Sequence, residues 1–103
     1  MIESHNGEAT RPEVSVQLPH QLRPRLQGAR SVQVQAATVG EAIAALEERF
    51  PGITFNLCHE TGEIRRFVNV FVGVEDIRYL QGLDTRLESG QTVFIFHSVA
   101  GGA

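Results

Sequence analysis

At 103 residues the chain is one small domain, with room for a helix layer on a sheet and none for a second lobe around a cofactor. Hydrophobic residues make up 42% and charged residues 20%, ordinary for a soluble globular domain, and no apolar run approaches the roughly 18 residues of a membrane span. Net charge is −3 and all nine basic residues are arginine, a balance that argues against nucleic acid or general phosphate binding.

Residues 1–13 are polar and include Gly7 and Pro12, which predicts a disordered leader. Met1 to Gly7 has no apolar core of a secretory signal. With the single cysteine, Cys58, this points to a reduced, cytoplasmic setting. Val14-Ser15-Val16-Gln17-Leu18 alternates with period two and predicts a half-buried strand, ended by Pro19. His20 to Arg30 holds Pro24, Gly28 and three arginines and predicts a connector, pinned by Leu22 and Leu26. A second alternating strand is expected over Ser31 to Ala36, antiparallel to the first.

Thr38 is a candidate helix cap, and Glu41 can reach back to the cap amide. Val39, Ile43, Leu46 and Phe50 recur at spacings of 4, 3 and 4, one helical face widened by Ala42. Glu47, Glu48 and Arg49 fall on the solvated side, and Pro51-Gly52 stops the helix. Residues 53–65 predict irregular chain. Phe67 to Val72 is dense in strand formers, Asp76 to Leu80 predicts a short strand, and Thr92 to His97 the last one. The order β, β, α, β, β, β predicts an α+β fold with a sheet of four to five strands on one helix. With the first strand beside the last, this is a ubiquitin-like β-grasp roll over residues 14–98.

Catalytic constellations are scarce. None of His5, His20, His59 and His97 pairs with another at helical spacing, and there is no second cysteine for a metal site. In Cys58-His59-Glu60 a nucleophile and a base are adjacent in sequence, a placement that rarely makes them face each other. The expectation is a protein that is not itself an enzyme, binding no cofactor or metal. The end of the chain is different: Gly101-Gly102 follows directly on a strand. Glycines can thread a narrow channel, and an extended stretch from Val99 to Gly102 reaches on the order of 13 Å.

Arg66-Phe67-Val68-Asn69-Val70-Phe71-Val72, Glu75 to Leu80, Gly82-Leu83-Asp84-Thr85 and Val99-Ala100-Gly101-Gly102 together resemble the prokaryotic sulfur carriers. That family includes the thiamine-pathway carrier and the small subunit of molybdopterin synthase. The likeness covers about residues 14–102 and is closer to the actinobacterial carriers used in cysteine biosynthesis. It implies that Gly102, following Gly101, is the reacting residue. An E1-like activating enzyme would adenylate its carboxylate with ATP, and a sulfur donor would convert the adenylate to a thiocarboxylate. A sulfur-acceptor enzyme such as a cysteine synthase would then receive the sulfur. Alternatives are a ubiquitin-like modifier or interaction module without sulfur chemistry, and the molybdopterin synthase subunit itself.

The family tail often reads Leu-Pro-Ala-Val-Ala-Gly-Gly, whereas here it is Phe96-His97-Ser98-Val99-Ala100-Gly101-Gly102. Loss of the proline and alanine implies a looser tail root. Ala103 implies a precursor, trimmed at Gly102–Ala103 by a JAMM-type zinc metalloprotease. Strand alternation turns Val68, Val70, Val72, Val93 and Ile95 to the helix and Phe67, Phe71, Phe94 and Phe96 outward. Phe71, Phe94 and Phe96, with Val99 and Ala100, are therefore expected to bind partner enzymes, rimmed by Arg65, Arg66 and Arg78.

Overall fold

The computed structural model describes residues 11–98. The leader up to Thr10 and the tail residues Val99, Ala100, Gly101, Gly102 and Ala103 lie outside it. Five strands, β1 (Glu13–Gln17), β2 (Ser31–Gln35), β3 (Val68–Val72), β4 (Glu75–Asp76) and β5 (Thr92–His97), form one sheet in the order β2-β1-β5-β3-β4. β1 runs parallel to β5, and every other pairing is antiparallel. The first and last strands are thus central neighbours, the arrangement of a β-grasp. β1 begins at Glu13, one residue before the expected start, and Pro12 already accepts a hydrogen bond from the Ala36 amide.

Helix α1 (Val39–Arg49) crosses the inner face of the sheet. Thr38 Oγ1 accepts from the Glu41 amide at 3.1 Å, while the Glu41 carboxylate takes the Ala37 amide at 2.8 Å, one residue before the predicted partner. Val39, Ala42, Ile43 and Leu46 are buried against Val14, Val16, Val70 and Val93. Phe50 closes the helix and is only half-buried. The connector is a 3-10 helix, His20–Leu26, whose Leu22 and Leu26 seal one end of the core as expected.

Two segments differ from their sequence patterns. Residues 53–57 form a second helix, α2 (Ile53–Leu57), rather than irregular chain. Glu47 is the reason. Its carboxylate turns back along the chain to accept from the Gly52 amide (2.8 Å), the Thr54 amide (3.0 Å) and the Thr54 hydroxyl (2.8 Å), supplying from α1 the cap that α2 lacks locally. Gly52 sits at φ +97°, a turn that a side chain would strain. Arg49 is likewise not simply solvated, for it donates to the Gln33 carbonyl at 2.8 Å. The second difference is at Asp76–Leu80. Only Glu75 and Asp76 pair with β3, and Ile77–Tyr79 is a 3-10 turn. Asp76 accepts from the Arg78 amide at 2.8 Å, the short Asx-type bond that ends the strand.

The backbone and hydroxyl bonds hold the Glu47 carboxyl below its ordinary 4.5. The folded chain therefore binds the proton less readily than the unfolded one. The stabilisation is complete above 4.5 and is lost as pH falls through the lowered value. In Glu47→Gln the acid-side fall in urea midpoint should be shallower than in the wild type; identical slopes would remove Glu47 from the account.

Candidate functional site: an aromatic sheet face beside the tail

The outer face of the sheet has two chemically different halves. On β1 and β2 it carries Ser15, Gln17, Ser31, Gln33 and Gln35, and Gln33 donates to the Ser15 hydroxyl at 2.8 Å. On β3 and β5 it carries aromatic rings. Phe71 lies directly opposite Phe94, and Asn69 opposite Phe96. The Phe71 and Phe96 rings meet across the diagonal with centroids 5.3 Å apart. Phe96 is 42% exposed and Phe67, just before β3, 47%; Phe71 and Phe94 are half-buried beneath them. Val68, Val70, Val72, Val93 and Ile95 point inward and are buried. The alternation thus brings Phe71, Phe94 and Phe96 to one side, while Phe67 lies in the turn just before β3.

This half of the sheet is also where the chain leaves the fold. The Ser98 amide donates to the Phe67 carbonyl at 2.7 Å, one rung beyond the last β3–β5 pair, Val68 with His97. Asn69 Nδ2 donates to the Ser98 hydroxyl. Ser98, the last described residue of the tail root, is therefore tied to β3 and to the residue before it. Val99, Ala100, Gly101, Gly102 and Ala103 follow this anchor outside the described residues.

The arginines divide. Arg66 lies over the Phe67 ring at 5.6 Å and is exposed at the rim. Arg65 turns the other way, donating to the Phe55 carbonyl at 3.0 Å and sitting 5.7 Å from the Phe55 ring, so it does not join the aromatic face. Arg78 is committed to its own chain through Val68, Asn69 and Asp76. Tyr79 (85% exposed) was missed, because a strand from Asp76 to Leu80 was expected where a capped turn forms; the Asp76-to-Arg78 Asx spacing was the available signal.

A groove of about 810 Å³ lies on the helix side, lined by Ile43, Glu47, Phe55, Cys58, His59 and Arg65 among others. Cys58 lies here, but burial pushes its thiol up, with Arg65 pulling partly back, so the thiolate that a nucleophile needs is disfavoured. No hydrogen bond joins Cys58 to His59 among the described residues. Those residues also contain no group of three or more His, Cys, Asp or Glu placed to hold a metal, and no helix long and apolar enough to cross a membrane.

Known proteins match this architecture over nearly its whole length. The sulfur carrier protein CysO of Mycobacterium tuberculosis is 40% identical over 91 residues, covering 86% of this chain and 98% of that protein. The crystal structure of the Amycolatopsis orientalis BexX/CysO complex contains a chain that superposes with a TM-score of 0.80 at 40% identity, covering 86% of this chain and 99% of that one. Small archaeal modifier protein 3 of Haloferax volcanii is 38% identical over 66 residues, 64% of this chain and 71% of that protein. The ThiS family model matches residues 16–102, a span that runs from within β1 through the other four strands and the tail root to Gly101-Gly102. The chain belongs to the ThiS family.

Proposed function

We propose that the chain is a sulfur carrier that works as a protein co-substrate and not as a catalyst. The carrying observation is the aromatic half-face beside the tied strand end that leads to Gly101-Gly102, in a chain 40% identical to a sulfur carrier over most of its length. In the proposed cycle the Gly102 carboxylate attacks the α-phosphate of ATP in an E1-like enzyme and pyrophosphate leaves. Sulfide attacks the acyl carbon and expels AMP, leaving a thiocarboxylate. Its sulfur then attacks an acceptor held by a second enzyme, a cysteine synthase being the candidate, and hydrolysis of the resulting acyl linkage releases the sulfur-containing product and restores the Gly102 carboxylate. ATP is bound by the activating enzyme, the chain needs no cofactor of its own, and the setting is the cytoplasm.

The domain's part is docking. Phe67, Phe71, Phe94 and Phe96 offer an apolar anchor patch, Arg66 a charged rim, and Val99 to Gly102 the reach into the enzyme. Phe71→Ala and Phe96→Ala should each weaken binding to the activating enzyme by about 1–3 kcal/mol while the unfolding midpoint moves little. Calorimetric binding and a urea curve read the two quantities. Normal binding with a large loss of stability would make the rings structural and sink the docking assignment. Chain-dependent ATP–pyrophosphate exchange tests the function itself, and no exchange with any activating enzyme encoded beside the chain would contradict it.

The second reading, a ubiquitin-like modifier, is favoured by the likeness to the archaeal modifier. It predicts isopeptide conjugates of the chain on other proteins. The chain has no lysine, so it cannot form lysine-linked polymers of itself.

A further inference from the structure

The strand end from which the tail departs is held by a three-residue relay reaching across the sheet. Arg78, in the turn after β4, sends Nη2 to the Val68 carbonyl (3.1 Å) and Nη1 to Asn69 Oδ1 (3.1 Å) and Asp76 Oδ2 (3.3 Å). A guanidinium has donors only, so the Asn69 amide must turn its oxygen to Arg78 and its nitrogen away. That nitrogen donates to the Ser98 hydroxyl. The same Ser98 gives its amide to the Phe67 carbonyl at 2.7 Å. Ser98 is the last described residue and is exposed, with no side-chain packing to fix it. Two hydrogen bonds and the β5 ladder set the direction in which the chain leaves.

We infer that Asn69, oriented by Arg78, is a positioning residue that aims the tail for activation by fixing Ser98. The inference rests on the carrier reading. Gly102 lies four positions beyond Ser98, so a change of angle at the root displaces the carboxylate by more than it displaces Ser98 itself. Displacements of about 1 Å at a reacting atom cost up to about 100-fold in rate. No ring takes part in the relay's hydrogen bonds, although Asn69 stands opposite Phe96 on the same face. Loss of the relay should therefore lower turnover and leave docking alone.

Adenylation of chains ending at Gly102 is measured as pyrophosphate release, with kcat and KM separated, and Ser98 amide exchange is read by NMR on the full chain. Asn69→Leu keeps the volume and removes both bonds. It should lower kcat about tenfold with KM within about twofold, and speed Ser98 exchange. Arg78→Lys, which cannot fork to the same acceptors, should do the same. Asn69→Asp should restore kcat, since its carboxylate can accept from Arg78 and from the Ser98 hydroxyl together. Ser98→Ala, an exposed truncation that leaves the core intact, should lower kcat in the same direction by less. Unchanged kcat in Asn69→Leu and Ser98→Ala overturns the positioning role, and unchanged Ser98 exchange in Asn69→Leu overturns the relay itself. If the wild-type chain is not adenylated, the carrier reading fails and the functional half of the inference with it, whereas the exchange result stands on its own.

Discussion

A chain ending at Gly102 is expected to be converted to thiocarboxylate about 100-fold faster than one ending at Ala103 when both are given activating enzyme, ATP and sulfide without protease. An extra residue moves the free carboxylate about 3.5 Å further along an extended chain. It also puts a methyl group beside the reacting carbon where Gly102 carries only hydrogen. Each change works against an active site that must place a carboxylate oxygen in line with the α-phosphate of ATP. Any residue beyond Gly102 then has to be removed first, and a zinc metalloprotease of the JAMM type is the proposed partner for that step. Equal rates from the two chains would mean an activating enzyme with room for alanine and no processing step.

Leu46→Ala is expected to remove about 2–5 kcal/mol of stability. Leu46 is fully buried in α1, within the core cluster shared with the inner sheet face. The cost combines lost apolar burial with the cavity left behind, because the strands on the far side cannot collapse into it. A domain of this size has about 5–15 kcal/mol in total, so the substitution consumes a large share. Urea denaturation reads it directly. A loss below about 1 kcal/mol would mean that α1 is not clamped on the sheet as described. The contrast with Phe96→Ala matters for function: similar apolar chemistry on opposite faces should give a stability defect in one case and a docking defect in the other.

How much was legible follows from the range over which each signal acts. The alternation of Val14 and Val16, of Val32 and Val34, and of Val68, Val70 and Val72 is local, and it gave both the strands and their buried face. The capping pair Thr38 and Glu41 sits within one turn and marked the start of α1. Helix α2 was invisible because five residues make little more than one turn, and its cap comes from Glu47 in the preceding helix. Tyr79 and Arg78 were placed on a strand because Ile77, Tyr79 and Leu80 favour one locally, while the Asp76 bond to the Arg78 amide ends it. The rings and the Gly101-Gly102 end could be read from pattern and from resemblance. The Asn69–Ser98 bond could not, since it joins residues 29 apart that meet only when β3 and β5 are in register.

Intact-mass spectrometry of the chain ending at Gly102 tests the carrier role most directly. After incubation with activating enzyme, ATP and sulfide, the predicted product has one oxygen replaced by one sulfur, the change maps to Gly102, addition of the acceptor enzyme with its substrate shifts the mass to that of the acyl adduct with the acceptor, and hydrolysis of that acyl linkage returns the original mass. An unchanged mass under conditions that support ATP–pyrophosphate exchange, with the chain recovered instead in isopeptide linkage to other proteins, would contradict the carrier account and establish the modifier reading in its place.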